Sequence, residues 1–111
     1  MEITFQTKKL HGTFESERNL RKEFVSEIAK AIMRRMAVLK AAPCLEDVSH
    51  RPPERRHALA GDRQGQFAVD LKHPYRLIFQ PAHDPLPLKD DGGIDLRRVT
   101  AIIIIEVEDY H

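Results

Sequence analysis

Three neighbouring residues near the end of the sequence have side chains that suit proton transfer and ring stacking. Asp109 can orient a partner or accept a proton, His111 can exchange protons near neutral pH, and the ring of Tyr110 can stack on a base. They directly follow the most apolar stretch of the chain, so we expect sheet pairing to hold them in place. Composition alone leaves one alternative, a charged tail that only solvates the end of a strand.

A second group of candidates is basic. The densest basic stretch comprises Arg51, Arg55, Arg56 and Arg63, with His57 among them. Residues 1–63 hold 13 Lys and Arg against 9 Asp and Glu, although the whole chain carries a net charge of only +1. Such a local field can attract a phosphate ligand. The alternative is a solvated, arginine-rich connector.

The sequence lacks the common signatures of other site classes. It has no glycine-rich phosphate loop, no dinucleotide fingerprint and no zinc-protease motif. Its six histidines include no pair at i,i+4, and Cys44 is the single cysteine, so we expect no metal and no cofactor. The lone cysteine favours a reducing, cytoplasmic compartment. The longest apolar run, 101–105, is far shorter than the roughly 20 residues of a membrane span.

Periodicity in the first half predicts a strand followed by helices. Residues 2–6 alternate like a short strand, and 8–12 form a polar break. A charged helix is expected next, capped by Thr13 or Ser16. Apolar residues then recur at spacings of three and four from 25 to 39, which predicts a stronger helix.

The second half changes to a period of two. Residues 66–71 and 75–80 alternate around a short turn, which predicts a hairpin, and 55–60 reads as a further strand. Residues 81–98 form a long loop. The β-branched run 99–107 is apolar on both faces, which indicates a central strand.

These elements predict one α+β domain over residues 1–111. Two N-terminal helices would pack on a small, mainly antiparallel sheet of four to five strands, in the order β-α-α-β-β-β.

Three blocks of sequence together carry a family resemblance. They are RHALAGDRQGQF from Arg56 to Phe67, PYRLIF from Pro74 to Phe79, and the closing DYH of Asp109, Tyr110 and His111. In this combination the chain resembles HigB, the killer-toxin group of the RelE/ParE superfamily of type II toxin–antitoxin systems.

The resemblance implies a RelE-like fold and a ribosome-dependent endoribonuclease that cleaves mRNA. It also implies neutralisation by a helix-turn-helix, HigA-like antitoxin. The implied catalytic residues are His57, Asp109, Tyr110 and His111, and the implied phosphate-binding or RNA-binding residues are Arg76, Arg63 and Arg56. RNA supplies its own nucleophile, the 2′-OH, so acid–base and cationic side chains suit the chemistry. Ala60 stands where relatives often have lysine.

Two other functions remain open. A ParE-like toxin would inhibit DNA gyrase and would have no nuclease site, and an inactive relative would only bind its antitoxin. The proton-transfer cluster at residues 109–111 favours the nuclease, because a gyrase inhibitor has no need of it.

Overall fold

The computed structural model describes residues 1–110, and it confirms the mixed α+β class. His111, a predicted catalytic residue, lies outside the described residues. The helices are α1 (Lys8–Phe14), α2 (Glu17–Glu23) and α3 (Ser26–Ala41). The strands are β1 (Glu2–Phe5), β2 (His57–Ala58), β3 (Phe67–Asp70), β4 (Tyr75–Pro81) and β5 (Ala101–Asp109).

The N-terminal half contains three helices, so the prediction of two was wrong. The polar break expected at residues 8–12 is part of α1, whose first turn is capped by the Thr7 hydroxyl accepting from the Leu10 N–H. The polar composition of residues 8–12 made this segment read as a break, but the Phe14 ring packs on Phe5 at a centroid distance of 5.4 Å and holds the helix. None of the helices within residues 1–110 is long and apolar enough to cross a bilayer.

The sheet has the order β1-β5-β4-β3-β2, so the strand predicted to be central is central. β5 pairs in parallel with β1 and antiparallel with β4, and the remaining pairs are antiparallel. Burial on both sides explains its uninterrupted apolar run. The strand expected over 55–60 is reduced to two residues, because Arg55 has a left-handed φ of 46° and Gly61 begins a 3-10 turn.

One face of the sheet packs against α3 and forms the main core. Ile32 and Leu39 of α3 are fully buried there with Leu77 and Phe79 of β4. On β4, Arg76 and Ile78 alternate with Leu77 and Phe79, so they belong to the opposite face of the sheet. That opposite face carries the polar cluster described below.

The long loop at 81–98 has internal structure. Leu88 and Ile94 form an isolated antiparallel bridge, and a 3-10 turn covers Leu96–Arg98. Nε2 of His83 accepts hydrogen bonds from the backbone N–H groups of Thr100 and Ala101. The loop is therefore fastened to the start of β5.

Candidate functional site

A β-bulge in β5 decides which side chains reach the polar face. Phe79 pairs with Ile104 and Ile78 pairs with Glu106, so Ile105 is an extra residue on β5. An extra residue reverses the alternation of the residues that follow it. Glu106 therefore pairs with Ile78, whose side chain belongs to the polar face. Without the extra residue, the side chain of Glu106 would point into the core, as that of Ile104 does.

A shallow depression of about 670 Å³ lies on this polar face. It brings together four of the predicted site residues from separate parts of the chain: His57, Arg63, Arg76 and Tyr110. Arg55, Asp62 and Ala60 also line it. The depression thus combines cations, an imidazole and an aromatic ring.

Arg76 is held between a carboxylate and an aromatic ring. Its guanidinium carbon lies 3.9 Å from the centroid of the Tyr110 ring, a cation–π geometry. Its Nη2 donates to Glu108 Oε1 at 3.2 Å. Tyr110 is kept in place by its backbone N–H, which donates to the Pro74 carbonyl at 2.8 Å. The side chain of Arg76 is only 13% exposed, and its buried Nε has no hydrogen-bond partner among the described residues.

Arg63 is fixed beside Arg76 through shared acidic residues. Its Nη2 lies 2.7 Å from Glu106 Oε1 and 3.0 Å from Glu108 Oε2. Its Nη1 donates to Gln66 Oε1 at 2.9 Å. Glu108 therefore bridges the two guanidinium groups. This arrangement offsets their mutual repulsion and keeps them on one side of the sheet.

His57 enters the depression from β2, with its ring fixed on one edge. Nδ1 lies 2.7 Å from the carbonyl oxygen of Arg55. Arg55 in turn makes a two-bonded ion pair with Asp70, in which Nε to Oδ2 is 2.6 Å and Nη2 to Oδ1 is 2.9 Å. The hydrogen bond to Asp70, and after it the charge of Asp70, raise the pKa of Arg55 above its ordinary value.

Two predicted site residues lie elsewhere. Asp109 is exposed and pairs across the strands with Tyr75, which packs toward the helix-side core, so it is not among the residues that line the depression. Nε of Arg56 donates to the Val48 carbonyl at 2.8 Å, which ties the Arg-rich segment to the loop after α3.

Three further residues of the cluster were not predicted from the sequence: Glu106, Glu108 and Asp70. Arg55 was a candidate only as part of the basic stretch, and its ion pair with Asp70 was not foreseen. The two glutamates follow an apolar run without alternation, and the bulge that turns them toward Arg63 and Arg76 leaves no periodic signal. Arg55 and Asp70 are far apart in the sequence and meet only through the pairing of the strands.

The cluster can bind an anion and exchange a proton. Arg76 retains donors that can reach an oxyanion, since a guanidinium has five N–H groups. The imidazole of His57 has one nitrogen engaged and one remaining. Within residues 1–110, no three His, Cys, Asp or Glu side chains are arranged to hold a metal ion together.

The fold is that of the RelE/ParE class of toxins. Over the whole chain it is similar to a YoeB/ParE toxin from Agrobacterium tumefaciens, with a TM-score of 0.57, 10% identity and full coverage of that chain. It is also similar to the YoeB–YefM complex from Staphylococcus aureus, with a TM-score of 0.55 and 14% identity, covering 100% of this chain and 97% of that one.

Sequence similarity is to a particular branch of this class. The chain is 31% identical over 80 residues to Toxin HigB-1 of Vibrio cholerae serotype O1, which covers 72% of this chain and 83% of that protein. No protein-family model matches. The chain belongs to the HigB toxins of the RelE/ParE superfamily, which are the toxins of toxin–antitoxin systems.

Proposed function

We propose that this toxin is an endoribonuclease that cleaves mRNA on the ribosome. The observation that supports it most is the meeting of His57, Arg63, Arg76 and Tyr110 in one depression, although they come from three separate blocks of the sequence. An acid–base group beside two guanidinium groups and a stacking ring matches what phosphodiester cleavage by an internal nucleophile requires.

In the proposed reaction the 2′-oxygen of RNA attacks the adjacent phosphorus. His57 takes the proton from the 2′-OH through Nε2, and the bond from phosphorus to the 5′-oxygen breaks. The products are a 2′,3′-cyclic phosphate and a 5′-hydroxyl. Arg76, with Arg63 beside it, binds the phosphate and stabilises the charge that develops on its oxygens. Tyr110 stacks on a neighbouring base.

The proton for the leaving 5′-oxygen requires an acid. Asp109 and His111 are the candidates that the family resemblance offers. Asp109 pairs with Tyr75 on the helix side of β5, which makes His111 the stronger candidate in this proposal.

We further propose a helix-turn-helix antitoxin of the HigA type as the partner and the cytoplasm as the site of action, since the substrate is mRNA under translation. A structural neighbour of this chain was solved as a YoeB–YefM complex, which supports a toxin that associates with a second protein.

A translation reaction with purified ribosomes tests the nuclease. With wild-type toxin we expect cleaved mRNA whose new 5′ ends lie within the segment that the ribosome occupies. In the variant His57→Ala and in a chain lacking His111, we expect the rate of mRNA cleavage to fall by a factor of about 10²–10⁴, the usual cost of a missing acid–base group.

His50→Ala is the matched control, because His50 is exposed and does not line the depression. Wild-type toxin that leaves mRNA intact on ribosomes would contradict the proposal. Gyrase trapped on DNA in cells that express the toxin would then support the ParE-like alternative.

A further inference from the structure

The hydrogen bond to Arg55 selects one protonation form of His57. The carbonyl oxygen of Arg55 can only accept, and it lies 2.7 Å from Nδ1, so Nδ1 must carry a proton. In the neutral ring Nε2 is then the nitrogen without a proton. The Arg55 carbonyl therefore decides which nitrogen of His57 can act as a base.

The position of this carbonyl depends on an unusual backbone at Arg55. Its φ of 46° lies in the left-handed region, which non-glycine residues adopt at a cost and keep only when the surroundings impose it. The backbone N–H of Arg55 donates to the Arg51 carbonyl at 2.8 Å. The side chain is held by the two-bonded ion pair with Asp70.

Asp70 is well placed to impose that conformation. It is the last residue of β3, opposite Arg76 of β4, so its backbone belongs to the rigid sheet. Its N–H donates to the Glu54 carbonyl at 2.8 Å, and its own carbonyl accepts from Arg35 Nε at 2.6 Å. The segment before His57 is thus attached to the sheet through both the backbone and the side chain of Asp70.

We propose that Arg55 and Asp70 are positioning residues, whose ion pair fixes the orientation and tautomer of His57 for proton transfer. The proposal rests on the proposed ribonuclease function, in which His57 is the base. Exposed ion pairs contribute little to stability, and here the two side chains are 51% and 33% exposed. A role in positioning therefore predicts a larger effect on the imidazole than on folding.

Nitrogen NMR of the imidazole tests the positioning directly. Long-range ¹H–¹⁵N spectra of the full chain distinguish the Nδ1–H from the Nε2–H tautomer, and His57→Gln assigns the signals. We expect the neutral wild-type ring to be in the Nδ1–H form. We expect Asp70→Ala to give a mixture of both tautomers.

Two further variants provide a control and an independent way to remove the ion pair. Glu27→Ala is the matched control, because it removes another exposed ion pair, with Lys72, and should leave the His57 signals unchanged. Arg55→Gly removes the same ion pair as Asp70→Ala. Glycine accepts the positive φ without strain, so the tautomer can be read even if Asp70→Ala does not fold.

Kinetics complete the experiment. Asp70→Ala should lower kcat for mRNA cleavage about 10- to 100-fold, the usual effect of losing a partner that orients a histidine. The change in KM should be smaller, because Asp70 does not line the depression where RNA is proposed to bind. Asp70→Glu should restore part of the rate.

The outcomes separate the two proposals. A wild-type His57 in the Nε2–H form, or a tautomer unchanged in both Asp70→Ala and Arg55→Gly, would overturn the positioning role. A tautomer that shifts as expected in a chain without ribonuclease activity would support the positioning role and contradict the proposed function.

Discussion

Arg76 combines three properties that a lysine cannot reproduce together. Its planar group stacks on Tyr110, binds Glu108, and still has donors for an anion. A lysine ammonium is a compact charge without the planar fork. The side chain at this position is therefore expected to matter through its shape as well as its charge.

Arg76→Lys is expected to lower the rate of mRNA cleavage by about 10²–10³, the usual cost of removing one stabilising donor from a reaction site. Single-turnover cleavage on programmed ribosomes measures it. Arg97→Lys is the control, since Arg97 is an exposed residue of the 81–98 loop. Equal rates for Arg76→Lys and wild type would remove Arg76 from the proposed mechanism.

At the scale of elements, an ion pair connects α3 to the turn between β3 and β4. Lys72 Nζ lies 2.7 Å from Glu27 Oε2, and both side chains are well exposed. The hydrogen bond from Lys72 and then its charge lower the pKa of Glu27. A carboxyl whose pKa is lower in the folded state stabilises the fold above its ordinary pKa, and the effect disappears as the pH falls through the lowered value.

Glu27→Gln should therefore be slightly less stable than wild type at neutral pH and equal to it in acid. The difference should also shrink in high salt, because the pair is exposed. Urea unfolding at several pH values measures both effects. A deficit that persists below the titration range of the carboxyl would show that Glu27 acts through something other than its charge.

The elements that the sequence predicts well are those with an unbroken period. Apolar residues at spacings of three and four predict the helix at Ser26–Ala41, and alternation predicts the hairpin of β3 and β4. The apolar run without alternation predicts the central position of β5. α1 was missed because its stability depends on the packing of Phe14 against Phe5, which is a tertiary contact.

The candidate site was predicted only in part, for a related reason. Arg63, Arg76, His57 and Tyr110 could be named from residue type and family resemblance, and all four line the depression. The faces taken by Glu108 and Asp109 depend on the bulge at Ile105, since one extra residue exchanges the two sides of the strand. Nothing in an apolar run without alternation indicates where such a residue is inserted.

At the scale of the whole molecule, the candidate site is open to its surroundings. The depression lies on the sheet face opposite the helices, and Tyr110 at its edge is 60% exposed. Within residues 1–110, no helix or long loop covers it. The proposed ribonuclease site is therefore accessible to RNA, which agrees with the proposal that a tightly bound antitoxin controls it.

Expression of the wild-type chain should therefore arrest growth, and co-expression with the proposed helix-turn-helix antitoxin should restore it. His57→Ala should permit growth, while still forming the complex. In both cases the partner should raise the thermal stability of the toxin, since a ligand at 100 times its Kd adds about 2.7 kcal/mol to the free energy of unfolding. Growth curves, co-purification and thermal melts of the two complexes measure these effects. Equal toxicity of wild type and His57→Ala would show that toxicity does not depend on proton transfer by His57. Gyrase trapped on DNA in these cells would then identify the ParE-like alternative as the cause.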